Sequence, residues 1–391
     1  MEINQALSLM LVSAAAAILP GLSRLLRLPA AVLEILFGVV LGKSLLQLQF
    51  SGDWLQFLAH LGFLLLLFHA GMEINFGMLS KQTGGQFLIQ LLIFAATLGL
   101  SFASTLVLGW SVFLALILST SSLDMVMSTL RDTGASKSAF GQSILVAASL
   151  ADFLALFGIT FFVLGREHGL NWHLVLPLPL FVGFAILLWA ARLWAWWYPQ
   201  KAERFLGAED SQELGVRLSL ALLFFFVAAS ELVHIEPVLG AFLGGCVLSF
   251  VFREKGFLEQ KISALGFGFL IPIFFINVGL QFDLRNIFRP EPLLFTLQLL
   301  VLAFVVKVIP GLLFTLQRIP MKTALRAGIL LSSRLSLIIA AASIGVQQHL
   351  ITPEMKDAIV LLALLTCLIA PTVFKLTQTE VKIMEAGRPG S

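Results

Sequence analysis

The chain has 391 residues, 59% of them hydrophobic and only 12% charged, with 25 Lys and Arg against 22 Asp and Glu. A soluble domain carries about 25% charge, so the composition excludes an ordinary soluble enzyme. The small net charge of +3, with basic residues set between apolar runs, argues against a nucleic-acid binder. Cys246 and Cys367 lie in apolar runs without CxxC spacing, which argues against a disulfide framework or a zinc site. Met1–Pro20 lacks a basic n-region, so no cleavable signal is expected.

Stretches able to span a bilayer, about 17–25 apolar residues, fall near 3–20, 29–46, 54–72, 84–109, 111–130, 138–165, 172–198, 213–235, 237–252, 263–281, 291–317, 323–348 and 355–377. The expected fold class is an all-α polytopic membrane protein of about thirteen transmembrane helices. Eighteen Lys and Arg fall on one set of alternating connections or beside it, and five (Lys43, Arg166, Arg285, Arg289, Lys356) on the other. By the positive-inside rule the N-terminus is outside and the C-terminus cytoplasmic, and a bacterial inner (cell) membrane is the expected location.

The chain also repeats itself. Leu61-Gly62-Phe63 followed by Gly71 echoes Leu265-Gly266-Phe267 followed by Gly279, and Gly38-Val39-Val40-Leu41 echoes Gly245-Cys246-Val247-Leu248. Ile117–Asp124 aligns without gaps on Ile329–Ser336. The three matches keep their order, and seven spans, an odd number, separate the two starts, so the copies are inverted. Inverted repeats that handle substrate at their interface characterise secondary transporters. The expected division is an extra N-terminal helix at 1–28, a first repeat at 29–165, linker helices at 166–236, a second repeat at 237–377 and a tail at 378–391. The closing Gly387–Ser391 reads as an appended sequence.

Four buried-span features carry candidate chemistry. Asp152 lies some fourteen residues past the polar lip at Ser138, and an acid at that depth costs roughly 2.5–3.5 kcal/mol, so it is a functional candidate by default. The polar clusters Ser119–Asp124 and Ser332–Ser336 (Thr120, Ser121, Ser122 and Asp124; Ser332, Ser333, Arg334 and Ser336) occupy corresponding positions of the two repeats. They are expected to interrupt their helices, since hydroxyls can satisfy freed backbone groups; the alternative is hydroxyls bonded to the i−4 carbonyl of continuous helices. Lys307, just before Pro310, is expected to pair with Asp152 or Asp124, the alternative being that it snorkels. Glu34 and Glu231 read as snorkelling or subunit-contact residues, Glu73 beside Asn75 and Lys81 as an interfacial anchor, and His69 as a packing histidine. Trp194–Tyr198 reads as an aromatic belt, and Gly240, Gly244 and Gly245 as a face for close helix packing.

The runs LLLLFHAGMEI (64–74), STSSLDMVMSTLRDTG (119–134), SILVAASLADFLAL (143–156), GAFLGGCVLS (240–249), FLIPIFFINVGLQFD (269–283) and RAGILLSSRLSLIIAAASIG (326–345), with Lys307, resemble the cation:proton antiporter family of Kef-type and Nap-type exchangers over about residues 3–377. The resemblance implies an antiporter fold with two crossed, discontinuous helices at 111–130 and 323–348, a dimerisation domain beside a mobile core, and a homodimer in the lipid bilayer. It implies that Asp152 is the ion-binding acid that takes up either a monovalent cation or protons. Thr120, Ser121 and Ser149 would add oxygens for the transported Na+ or K+, and Asp124 would be a second acid; Lys307 and Arg334 would be charge partners. No enzyme activity, cofactor or nucleic-acid partner is expected, and a regulatory subunit in trans is compatible with the reading. The chain departs from the family pattern at Ala151, where relatives carry a second acid, Asn or Gln, at Arg334-Leu335-Ser336, where relatives often carry a glutamate, and at Asp124, where they often have a small residue. No nucleotide-binding regulatory domain is expected after residue 377, and with it no Kef-type cytosolic gating. The alternatives are an ion-coupled symporter or efflux channel on the same fold, or a transport-inactive scaffold or sensor. An intramembrane protease lacks its motifs.

Overall fold

The structure, a computed structural model, describes residues 2–26, 28–50, 53–74, 84–136, 138–168, 213–233, 236–251 and 256–386, with a few isolated positions between 183 and 197. Its helices are α1 (Gln5–Leu26), α2 (Ala30–Leu41), α3 (Asp53–Glu73), α4 (Gly84–Val107), α5 (Val112–Ser119), α6 (Leu123–Asp132), α7 (Ala139–His168), α8 (Leu214–Leu232) and α9 (Pro237–Val251). There follow α10 (Gly256–Leu265), which runs through a π-helical turn (Gly266–Leu270) into α11 (Ile271–Gln281), then α12 (Pro290–Gly311), α13 (Met321–Leu331), α14 (Ser336–Gln347) and α15 (Pro353–Ala386). Two two-residue strands, Glu2–Ile3 and Gln49–Phe50, pair in parallel.

Among the described residues nine helices are long and apolar enough to cross a membrane, ten if the bent pair α13 and α14 counts as one span, and Ala30–Leu41 and Pro237–Phe250 are shorter apolar helices. The span expected at 172–198 lies mostly outside the described residues, as do Arg27, Asn75, Lys81, Lys137, Lys201, Arg204, Arg253, Lys255, Arg388 and most of the aromatic belt. Exposed apolar side chains such as Met10, Ile18 and Leu25 on α1, Leu88, Leu92 and Val107 on α4, and Phe225 and Leu232 on α8 suit a lipid surround.

The chain divides into two compact units, Met1–Gly77 with Thr160–Arg285 and Met78–Ile159 with Asn286–Ser391. In the first, α3 packs on α9 and α2 packs on α11. Glycines set both contacts. A Cβ at Gly38 would strike Ile276 O, Gly279 Cα and Leu280 N, and one at Gly279 would strike Ile35 O, Gly38 Cα and Val39 N. A Cβ at Gly245 would strike Phe68 O and Met72 N, and one at Gly71 would strike Phe242 O and Cys246 N. The sequence match pairs Gly38 with Gly245 and Gly71 with Gly279, so each copy lends one glycine to each contact, in the same register. Close backbone approach of this kind drives helix association where lipid offers no hydrophobic gain.

Glu34 differs from its expected surface role, being only 4% exposed. It lies one turn before Gly38 and so shares the face of α2 that packs on α11. Glu231 is exposed. His69 is buried, with Nε2 2.7 Å from Ser263 Oγ, Nδ1 3.4 Å from Glu73 Oε1 and its ring edge-on to Phe267. It is a hydrogen-bonded packing histidine.

In the second unit, α4, α6, α7, α13 and α15, with the turn Leu312–Gln317, share a core of Ile93, Val126, Leu130, Ile144, Ala148, Phe314, Ala327, Leu330 and Phe374. The clusters at 119–124 and 332–336 do interrupt their helices, at Thr120–Ser122 and at Ser332–Leu335. The second interruption bends the span by 45°.

The glycine contacts yield a prediction. Gly38→Ala or Gly245→Ala forces a helix pair apart and destabilises by about 1–3 kcal/mol, seen as a lower unfolding midpoint of the detergent-solubilised protein. Gly99→Ala, with no atom near its would-be Cβ, leaves the midpoint unchanged or raises it.

Candidate functional site

Interrupting a helix frees peptide groups on both sides of the gap, and inside a membrane each must find a partner. At the end of α5 the freed carbonyls are those of Leu118, Ser119 and Thr120. Arg334 donates from Nη2 to Leu118 O at 2.7 Å and from Nε to Thr120 O at 3.1 Å, and Nη2 also reaches Ala303 O at 3.2 Å. Lys307 Nζ donates to Ser119 O at 2.7 Å and to Ser121 Oγ at 2.9 Å. Two cations thus sit at the carbonyl end of a half-helix, where its dipole is negative.

At the start of α6 the freed groups are amides. Ser121 N donates to Asp152 Oδ1 at 2.9 Å and Leu123 N to Asp152 Oδ2 at 3.3 Å. The carboxylate therefore straddles Ser122 and meets the positive end of α6, acting as an N-cap delivered from α7. Asp152 is partly accessible, whereas Lys307 is 4% and Arg334 0% exposed.

The two interruptions meet. Ser121 Oγ donates to Leu331 O, the last residue of α13, at 3.1 Å. Ser332 Oγ and Ser333 Oγ bond back to Gly328 O at 2.9 Å and Leu330 O at 2.8 Å. Ser336 opens α14 and directs its hydroxyl at Asp124 Oδ2 across a long 3.5 Å contact, which brings Asp124 to the start of the other half-helix. Behind the gap, Cys367 Sγ and Thr366 Oγ1 donate to Arg334 O at 3.1 and 3.5 Å. The cluster holds two acids and two bases.

The expected site residues differ in the bonds they make. Lys307 does not snorkel, and its ammonium is directed at a carbonyl and a hydroxyl rather than at a carboxylate. Ser121 stands between it and Asp152, with its amide on the acid and its hydroxyl on the base. Thr120 Oγ1 is turned back to Ile117 O at 2.8 Å. Ser149 is buried one turn before Asp152 and makes none of the bonds that hold the carboxylate. Ser122 is buried at the start of α6, and its Oγ has no hydrogen-bond partner among the described residues. Sequence reasoning missed Cys367, Thr366 and the carbonyl of Ala303. A backbone acceptor carries no side-chain signal, and Cys367 reads as one more apolar residue; both cysteines are free thiols.

A sequence profile of the family described as "Sodium/hydrogen exchanger, transmembrane" matches residues 11–378. The chain is 34% identical over 372 residues to the putative Na+/H+ antiporter YjbQ of Bacillus subtilis, covering 90% of this chain and 59% of that protein. It thus spans less than two thirds of that relative's length. It is 27% identical over 371 residues to the probable Na+/H+ antiporter 3 of Methanocaldococcus jannaschii, covering 92% of each. The solved structure of the sodium proton antiporter MjNhaP1 from the same organism superposes with a TM-score of 0.68 at 13% identity, covering 95% of this chain and 96% of that one. That likeness establishes the fold.

The bonding pattern ranks the two bases. Arg334→Met strands three carbonyls and is expected to cost roughly 3–5 kcal/mol, while Lys307→Met, which loses two bonds, costs less. Unfolding midpoints in detergent test the order; an Arg334→Met protein as stable as the parent would refute this role for the guanidinium.

Proposed function

We propose that this chain, which belongs to the sodium/hydrogen exchanger transmembrane family, exchanges a monovalent cation, Na+ or K+, for protons by alternating access at Asp152. The observation that carries the reading is the clasp on that carboxylate. Two amides and the positive end of α6 hold its charged form in place, and the residue is partly accessible. A proton and a hard cation seek the same oxygens, so binding one excludes the other, and exchange follows if the loaded site can face either side.

Ala151, buried at 4% exposure beside Asp152, can carry neither a proton nor a charge. Asp152 thus acts without an adjoining acid in its own helix, and Asp124 is a second carboxylate in the first turn of α6. Lys307 and Arg334 have structural and electrostatic work in this reading, since they neutralise the carbonyl end of α5 and offset the two acids.

The rest of the reading is organisational. Residues 29–165 and 237–377 form inverted repeats, preceded by an additional helix at 1–28 and joined by linker helices at 166–236. The protein works as a homodimer in a bacterial inner membrane, N-terminus outside and C-terminus inside. The orientation is supported by the eighteen-to-five distribution of Lys and Arg.

In proteoliposomes with a pH gradient, the parent protein is expected to move protons against Na+ or K+, and Asp152→Asn to abolish that coupling while remaining folded. Because protons compete for the same carboxylate, the apparent KM for the cation rises as pH falls, with the maximal rate recovered at saturating cation. Cation flux without counter-moving protons would replace this reading with the symporter or channel. A C-terminal reporter fusion is expected to be active only in a cytoplasmic-sensing format.

A further inference from the structure

Lys307 stands where α12 is least able to hold its own backbone. Pro310, three residues on, has no amide to return to Val306 O, so the helix lacks one rung beside the base. Past Gly311 it tightens into a 3-10 turn, Leu312–Gln317. The ammonium still has to reach two fixed acceptors, Ser119 O at 2.7 Å and Ser121 Oγ at 2.9 Å. The support comes from outside α12.

It is α13 that α12 packs on here. A Cβ at Gly328 would lie 2.7 Å from Val308 Cα and 3.1 Å from Lys307 O, and one at Gly311 would lie 2.8 Å from Gly328 Cα. Carbon atoms in ordinary contact sit about 3.5–4.0 Å apart, so the two backbones meet with no side chain between them. Three residues beyond Gly328, Leu331 O accepts from Ser121 Oγ at 3.1 Å. The contacts close a ring: from the Lys307 backbone to Gly328, along α13 to Leu331 O, across to Ser121 Oγ, and back to Lys307 Nζ. Ser121 N donates to Asp152 Oδ1 at 2.9 Å, which ties the ring to the acid. Repetition does not account for the glycine. Gly328 stands one residue before the run Ile329–Ser336, and the first copy has Leu116 in that place, before Ile117–Asp124.

We propose that Gly328, with Gly311, is a positioning residue for Lys307: it fixes where the ammonium stands relative to the clasp on Asp152, and so the pH range over which the protein exchanges ions. The inference rests on the exchange reading above and refines it. A methyl group at position 328 opens the seam by about 1 Å to restore ordinary contact, and so draws the ammonium away from Ser121. The charged groups around the carboxylate are Lys307 on α12, Arg334 between α13 and α14, and Asp124 on α6; of these only Lys307 is carried by α12. A proton and Na+ bear the same charge, so a more distant ammonium strengthens the binding of both. At acid pH the two gains cancel in the apparent KM for Na+, and at alkaline pH only the cation's gain remains. The pH below which KM climbs therefore moves upward.

The test follows apparent KM for Na+ in proteoliposomes from acid to alkaline pH. In Gly328→Ala the climb in KM is expected to begin about half a pH unit higher than in the parent, the scale of moving a unit charge by about 1 Å at close range. Gly311→Ala, on the same seam, is expected to move it in the same direction. Gly38→Ala, which forces apart a helix pair of the first unit, is the structural control: it lowers the unfolding midpoint and leaves the profile of KM against pH in place. A Gly328→Ala protein with the parent's profile would overturn the proposal, as would a Gly38→Ala protein whose profile moves equally, since the shift would then follow lost stability alone. Where Gly328→Ala does not fold, Gly311→Ala carries the test with the same two outcomes. If the parent itself fails to couple cation to proton movement, the exchange reading falls and takes this one with it. That outcome is distinct, because it appears before any variant is made.

Discussion

The second unit depends on one constraint: a peptide group released from a helix inside a membrane has no water to turn to. Two spans are interrupted, and at the first gap the carbonyls of Leu118, Ser119 and Thr120 and the amides of Ser121 and Leu123 are each met by a side chain of matching polarity. Carbonyls at the end of α5 face Arg334 and Lys307, and amides at the start of α6 face Asp152. The half-helix dipoles favour the same assignment. Backbone satisfaction and charge neutralisation are therefore achieved by one set of residues, and none can change without exposing a peptide group as well as a charge.

This coupling bears on function. A carboxylate bonded only to side chains could relax when it takes a proton or an ion. Asp152 is bonded to backbone amides, so its position is held by the chain itself, and a change in its charge acts directly on the start of α6. Ser121 extends the link, because its amide touches the acid while its hydroxyl touches both Lys307 and the end of α13. One residue joins the acid, a base and the second interrupted helix.

The first unit solves a different problem with different means. Its matched glycines let helix backbones meet directly, α2 on α11 and α3 on α9, with the two copies contributing in the same register. Its polar contacts are local, such as His69 with Ser263 and Glu73 and Ser44 with Phe282 O. Rigid glycine-lined contacts in one unit and a balanced charge cluster in the other follow from what each stretch of sequence can offer.

Much of this was legible in the residues alone. Hydropathy placed the spans because burial in lipid depends on summed apolar area, which is a property of the local run. The hydroxyl-rich gaps were visible because polar residues inside an apolar span need a reason, and the echo of Ile117–Asp124 in Ile329–Ser336 placed both gaps together. The partners were not legible. Lys307 is expected beside a carboxylate, and its ammonium is bonded to Ser119 O and Ser121 Oγ, with Ser121 bonded to Asp152 in turn; Glu34, expected to snorkel or to make a subunit contact, is buried; and Ser122 reads as one serine among several. Those outcomes depend on which carbonyls and amides an interruption releases and on how two half-helices are rotated about each other. Neither is encoded in a residue's type, and only the packed chain decides them.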